Sequence, residues 1–144
     1  MILEIEPVPK NSWGLSLAHK LSKDVWNTIR HTTYRNAGYK CQVCGDDDRY
    51  DLSCHEIWKF DDAKLIQTLL GFECCCSLCH NVHHLGRSRL VYDKTYVNRL
   101  IRHWCEVNEK TIADFQAYEI QISQLNVLRS GKIYKVIVFG RELK

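Results

Sequence analysis

Phe72 to Arg87 reads FECCCSLCHNVHHLGR, and this stretch decides the fold. Cys76 and Cys79 are the second half of a paired CxxC pattern whose first half is Cys41 and Cys44, and the segment runs directly into His80, His83 and His84. Four thiolates are the ligand set of a tetrahedral Zn²⁺ site, at metal–sulfur distances of about 2.3 Å. The expectation is a structural zinc held by Cys41, Cys44, Cys76 and Cys79. Cys75-x3-Cys79 is sterically open too, so spacing alone leaves the third sulfur undecided. Cys54 and Cys105 fall on apolar faces and read as core thiols. The 31 residues between the two pairs exceed the spacing of a compact zinc ribbon, so they must form a substantial excursion.

Composition bounds the rest. A chain of 144 residues, 45 % apolar and 26 % charged, reads as one globular domain. No apolar run approaches the ~20 residues needed to cross a bilayer, and the opening MILEIEPVPK lacks a signal peptide's apolar core, so a soluble, cytoplasmic chain without a membrane partner is expected. Eight cysteines arranged around two CxxC pairs favour metal over disulfides, hence a reducing compartment. The net charge of +3 is only mildly basic. Its distribution says more: Arg87, Arg89, Lys94, Arg99 and Arg102 face a single acid, Asp93, just after the histidines. These five side chains are the candidate phosphate-binding residues, set against the plainer reading of a solvated helix face.

Residues 1 to 21, with Pro7, Pro9, Trp13 and Gly14, read as an extended arm, and 22–144 as the domain. Whether the arm docks through Trp13 the pattern does not decide. Ser22 caps an amphipathic helix through Val25, Trp26, Ile29, Thr33 and Ala37, stopped by Gly38. After the first CxxC, Leu52, Cys54 and Glu56 share one parity of a strand and Ser53, His55 and Ile57 the other, with the strand ending at His55 and Glu56. Asp61 or Asp62 then caps a short helix through Leu65, Ile66, Leu69 and Leu70 to Gly71. A second short strand spans Phe72 to Cys75, and the histidine-bearing helix runs from near Ser77 to Gly86. Asp93 caps a longer helix ending at Asn108, Thr111 and Asp114 form a capping box, and KIYKVIVFG is a strand for a sheet edge.

A strand-end histidine with two more at i and i+4 can coordinate a divalent cation. His55, His80 and His84 are therefore the candidate ligands of a second ion, His83 being the neighbour that could replace one of them. Such an ion stabilises developing charge in phosphodiester hydrolysis. The plainer reading makes these hydrogen-bonding or zinc-supporting histidines.

CxxCG, then LSCHEIW at a strand end, then CSLCHNVHHLG resemble the HNH endonucleases of the ββα-metal type. More narrowly, VPKNSWG, CHEIWKFDD and CHNVHHLG are similar to a bacterial and phage group of HNH-like proteins. The resemblance implies an α+β fold: a zinc-stabilised ββα-metal core over about residues 39–88, with additional helices and a C-terminal strand around it. It implies a DNA endonuclease in which His55, Glu56, His80 and His84 are catalytic, acting in the cytoplasm of a bacterial host. In the family a metal ligand is followed by a histidine base. One alignment makes His55 the ligand and Glu56 the base; the other makes His55 the base and leaves His80 and His84, or Asn81, to hold the metal. The family's central asparagine falls on Gly71. The second ion would be Mg²⁺, Mn²⁺, Ni²⁺ or Zn²⁺. The alternative is a catalytically silent member of the fold that binds DNA or a protein, such as a phage-encoded inhibitor of a host system.

Overall fold

The structure, a computed structural model, describes residues 1–9, 12 and 16–143. Trp13, through which the sequence pattern leaves the docking of the arm open, lies outside the described residues. A long antiparallel hairpin is the frame: β1 (Leu52–Asp61) pairs with β2 (Ile66–Cys76), Leu52 opposite Cys76 and Asp61 opposite Ile66. Alternation then divides β1 between two layers. Cys54, Glu56 and Trp58 face α1 (Leu17–Lys20) and α2 (Lys23–Asn36), while His55 faces α3 (Ser77–His83). α4 (Leu85–Val91), α5 (Lys94–Asn108) and α6 (Ile112–Ser130) extend the α3 layer. β3 (Lys135–Val138) adds parallel to β2, and β4 (Arg141–Glu142) closes a four-stranded mixed sheet in the order β1-β2-β3-β4. The protein is thus mixed α+β.

Caps follow the sequence closely. Ser22 Oγ accepts from Val25 N, Asp93 Oδ1 accepts from Tyr96 N at 2.8 Å, and Thr111 and Asp114 form the reciprocal box. Each satisfies donors that a helix start leaves unpaired.

Three expectations are corrected. No helix occupies 61–70. Asp61 Oδ1 accepts from Lys64 N at 2.9 Å, the same bond a helix cap makes, but Leu65 turns to φ 56° and the chain returns as β2. Ile66, Gln67 and Thr68 then pair with strands on both sides, β1 and β3, and this pairing overrides the helical spacing of the leucines. Consequently β1 continues past His55 and Glu56 to Asp61, and Gly71 sits within β2 beside a bulge rather than at the end of a helix. Lastly, the histidine helix breaks at His84 (φ −101°, ψ 40°), not at Gly86, which lies inside α4. Ser88, wholly buried, bridges the break by donating to the Asn81 carbonyl.

The arm lies on the domain. Leu3 and Ile5 enter the main core with Val82, Leu85, Leu100, Trp104 and Phe115. Asn108 Oδ1 accepts from Ile2 N and Leu3 N, and Tyr118 Oη accepts from Ile5 N at 3.0 Å. At the hairpin tip, Arg129 donates Nε and Nη2 to the Asp62 carboxylate and Nη1 to the Pro7 carbonyl, while Tyr134 Oη donates to Asp62 Oδ1.

Trp104 is 1 % exposed and packs on both Phe115 and Tyr118. Trp104→Ala is therefore expected to cost about 3–5 kcal/mol in urea unfolding; a loss below 1 kcal/mol, by the same scale, would contradict this core. Arg129 and Tyr134 hold the Asp62 carboxyl below its ordinary value. A depressed folded pKa contributes stability above the unfolded value and loses it as pH falls through the folded one. The stability gap between wild type and Asp62→Asn should stay flat from about pH 5 to 8 and close below about pH 4. A gap that widens on acidification would have the wrong sign.

Candidate metal centres

Two backbone turns present the sulfurs. Cys41 to Gly45 form a knuckle in which Cys44 N points at Cys41 Sγ (3.4 Å), Gly45 N bonds the Cys41 carbonyl, and Gly45 takes φ 82°, a left-handed turn that glycine adopts without strain. The second knuckle is the start of α3, where Cys76 caps the helix and Cys79 N points at Cys76 Sγ (3.5 Å). Gln42 sews the first turn to β2: its N bonds the Cys74 carbonyl and its Oε1 accepts from Cys74 N, both at 2.8 Å. Asp51 accepts from Ser77 at the α3 N-terminus, where a negative charge is favoured.

The result is a tight cluster of Cys41, Cys44, Cys76 and Cys79, with all four Sγ atoms within 4.8 Å of one another. Cys44 Sγ and Cys76 Sγ lie 3.7 Å apart. Sulfurs at about 2.3 Å from one tetrahedral ion would be about 3.8 Å apart, so the donor set fits a metal ion such as zinc. Thiols this close cannot all ionise unaided. Hydrogen bonds from Cys76 and Cys79 hold Cys41 far down as a thiolate, and those two partners are pushed up in turn, Cys76 to about 12. A divalent cation removes that conflict. Cys75 belongs to the core instead, where burial pushes its thiol up, and Cys74 is likewise raised, to about 11. Cys54 packs with Tyr34 and Cys74, and Cys105 against the main core.

His103 went unnoticed in the sequence. Its Nε2 lies 3.1 Å from Cys79 Sγ, joining α5 to the cluster. No spacing motif marks it, because the contact depends on how α5 packs across α3.

The histidines converge at the other end of α3. His55, His80 and His84 bring one ring nitrogen each within 4.8 Å of the others. Their rings meet at steep angles: 74° for His55 with His80, 65° for His55 with His84, and 83° for His80 with His84. An imidazole lone pair lies in its ring plane, so rings steeply inclined to one another, each with a nitrogen within 4.8 Å of the others, are not stacked face to face across the site. One ion can therefore take a nitrogen from each. His83 differs. It stacks on His55 at 4.2 Å with only 5° between the planes. Near-parallel planes do not intersect nearby, so although Glu6, His55 and His83 also sit within 4.8 Å, the two rings are poorly arranged to share an ion.

Glu6, on the arm, is a second residue that no sequence motif marks. Its Oε1 lies 2.8 Å from His55 Nε2, and its Oε2 is buried without a partner. Apolar alternation at Leu3 and Ile5 was the available signal that the arm docks, but nothing marked Glu6 itself. His83 Nδ1 donates to the Glu4 carbonyl at 2.7 Å, and Glu6 N donates to the His83 carbonyl at 2.9 Å, so the arm is registered on the end of α3.

Burial, reinforced by neighbouring imidazoles, pushes His55 down to about 3, His80 to about 4 and His84 to about 2. All three are neutral at pH 7, the state in which imidazole ligates. For His83, burial opposes charge, but Glu73, Glu6 and the Glu4 carbonyl outweigh it and raise its pKa. Burial likewise lifts Glu6 to about 7, against the pull of His83.

Glu56 does not join this group. It points to the opposite face of β1, where Oε1 accepts from Leu17 N at 2.7 Å and Oε2 from Trp58 Nε1 at 3.0 Å. The alignment making it the base is thereby corrected: strand alternation turns it away from His55. Asn81 is turned away too, donating to Tyr96 Oη at 3.0 Å. Arg87, Arg89, Lys94, Arg99 and Arg102 are all exposed on α4 and α5, with Arg89 paired to Glu119. No helix of the described residues is long and apolar enough to cross a membrane.

Compared with protein-family models, with curated proteins and with solved structures, the chain matches none.

A structural ion in the sulfur cluster should contribute about 10 kcal/mol or more of apparent folding free energy. Purified protein is expected to carry one zinc that Cys75→Ser keeps and Cys76→Ser loses, by elemental analysis. Stripping it with a strong chelator should collapse the far-UV CD signal, and an unchanged spectrum would contradict the assignment.

Proposed function

We propose that this chain is a metal-dependent endonuclease of the HNH, ββα-metal type that hydrolyses phosphodiester bonds in DNA. One observation carries the reading: the corner of three neutral imidazoles, His55 from β1 and His80 and His84 from the end of α3. The order strand, strand, helix, with sulfurs at one end of the helix and imidazoles at the other, supports it. An all-nitrogen donor set favours Zn²⁺ or Ni²⁺ over Mg²⁺, which prefers oxygen. A divalent ion bound there would polarise a phosphoryl oxygen and stabilise the charge that develops on it.

The chain's own residues would do the rest. His55, His80 and His84 hold and orient; Arg87, Lys94, Arg99 and Arg102, free on α4 and α5, supply sequence-independent phosphate contacts. Proton acceptance cannot fall to Glu56, whose carboxylate is engaged by Leu17 and Trp58.

That engagement favours a second reading: a catalytically silent metal protein of this fold that binds DNA or a protein partner. His55 at 1 % exposure points the same way.

Plasmid nicking with added Ni²⁺, Mn²⁺ or Zn²⁺ separates the two. The nuclease reading expects cleavage by the wild type and at least a ~100-fold loss in His80→Ala and His84→Ala, the removal of several kcal/mol of charge stabilisation. Equal cleavage by both variants would overturn it. DNA binding that weakens with salt, without any cleavage, would favour the silent binder.

A further inference from the structure

The proposed function uses three histidines and leaves Glu6 out. Yet Glu6 is the most deliberately placed carboxylate of the described arm. Six hydrogen bonds hold Ile2 to Glu6 on the domain: Ile2 N and Leu3 N to Asn108 Oδ1, Asn108 Nδ2 to the Leu3 carbonyl, Ile5 N to Tyr118 Oη, Glu6 N to the His83 carbonyl, and His83 Nδ1 to the Glu4 carbonyl. Leu3 and Ile5 are buried beneath it. The carboxylate that this arm delivers makes its hydrogen bond at His55 Nε2, 2.8 Å away. His55 Nδ1, the other ring nitrogen, is buried with no partner at all. A buried imidazole nitrogen without a hydrogen bond is costly unless something binds it.

We propose that Glu6 is a positioning residue of the tri-histidine centre: it accepts the Nε2–H of His55 and so presents the Nδ1 lone pair to a divalent cation shared with His80 and His84. The inference rests on the reading of those three residues as one metal site, not on catalysis. A neutral imidazole carries one proton, so fixing it on Nε2 leaves Nδ1 bare. A carboxylate behind a ligating histidine both orients the ring and strengthens it as a donor. His83, stacked flat on the His55 ring, limits its rotation from the side. The arm thereby becomes part of the metal centre, joining it to the chain's first residues.

The test uses the full chain with its sulfur-bound zinc in place. Multiple-bond ¹H–¹⁵N correlation reports which His55 nitrogen carries the proton, and Ni²⁺ titration reports the second ion. Wild type should show the proton on Nε2. Glu6→Leu, which removes the acceptor, should lose that preference and bind Ni²⁺ about 10–100-fold more weakly, at unchanged zinc content and far-UV CD. Glu6→Gln, which keeps an acceptor oxygen, should restore the tautomer. A proton on Nδ1 in the wild type, or equal Ni²⁺ affinity in wild type and Glu6→Leu, would overturn the proposal while the tri-histidine site stands. A wild type that takes no Ni²⁺ would bring down the site and the proposal together.

Discussion

Four sulfurs within 4.8 Å of one another are the constraint from which the rest follows. α3 has seven residues, far too few to hold a helical shape alone in water. It is fixed at its start, where Cys76 ends β2 and caps the helix, and where Cys79 joins Cys41 and Cys44 from a loop separated from Cys76 by 31 residues. One metal ion there would tie the knuckle, the hairpin and the helix in a single act. Once the start of α3 is fixed, its geometry carries His80 and His84 to a set place above β1. The sulfur cluster thus determines where the imidazoles lie.

The other half of the arrangement is the two-sided strand. Successive residues of β1 serve different layers. His55 turns inward to α3 and the arm, while Glu56 turns to α1 and pins the Leu17 amide. Two adjacent polar residues, both buried or half-buried, are thus held by different parts of the chain, His55 at Nε2 alone. The arm contributes to both sides: Glu6 meets His55 on one face, and Leu17 meets Glu56 on the other. A segment with no regular periodicity therefore threads past both polar groups of the strand.

Local chemistry made much of this legible. The cysteine spacing, the Ser22, Asp93 and Thr111 caps and the parity of Leu52 to Ile57 each depend on neighbours in sequence. The errors arose where local signals are ambiguous. Asp61 bonding the amide of Lys64 looks the same at a helix start and in a turn, and only pairing with β1 and β3 decides between them. Gly86 permits a helix to stop but does not force it. Glu6 and His103 were invisible because their roles come from contacts across 49 and 24 residues, with no motif to announce either. Conversely, CHE sets side by side two polar residues that β1 turns to opposite faces.

Zinc K-edge X-ray absorption on protein carrying a single equivalent of zinc tests the central claim most directly. The account predicts a first shell of four sulfurs at about 2.3 Å and no imidazole scattering. Nitrogen or oxygen in that shell, or outer-shell imidazole features, would mean that the first ion does not sit among Cys41, Cys44, Cys76 and Cys79.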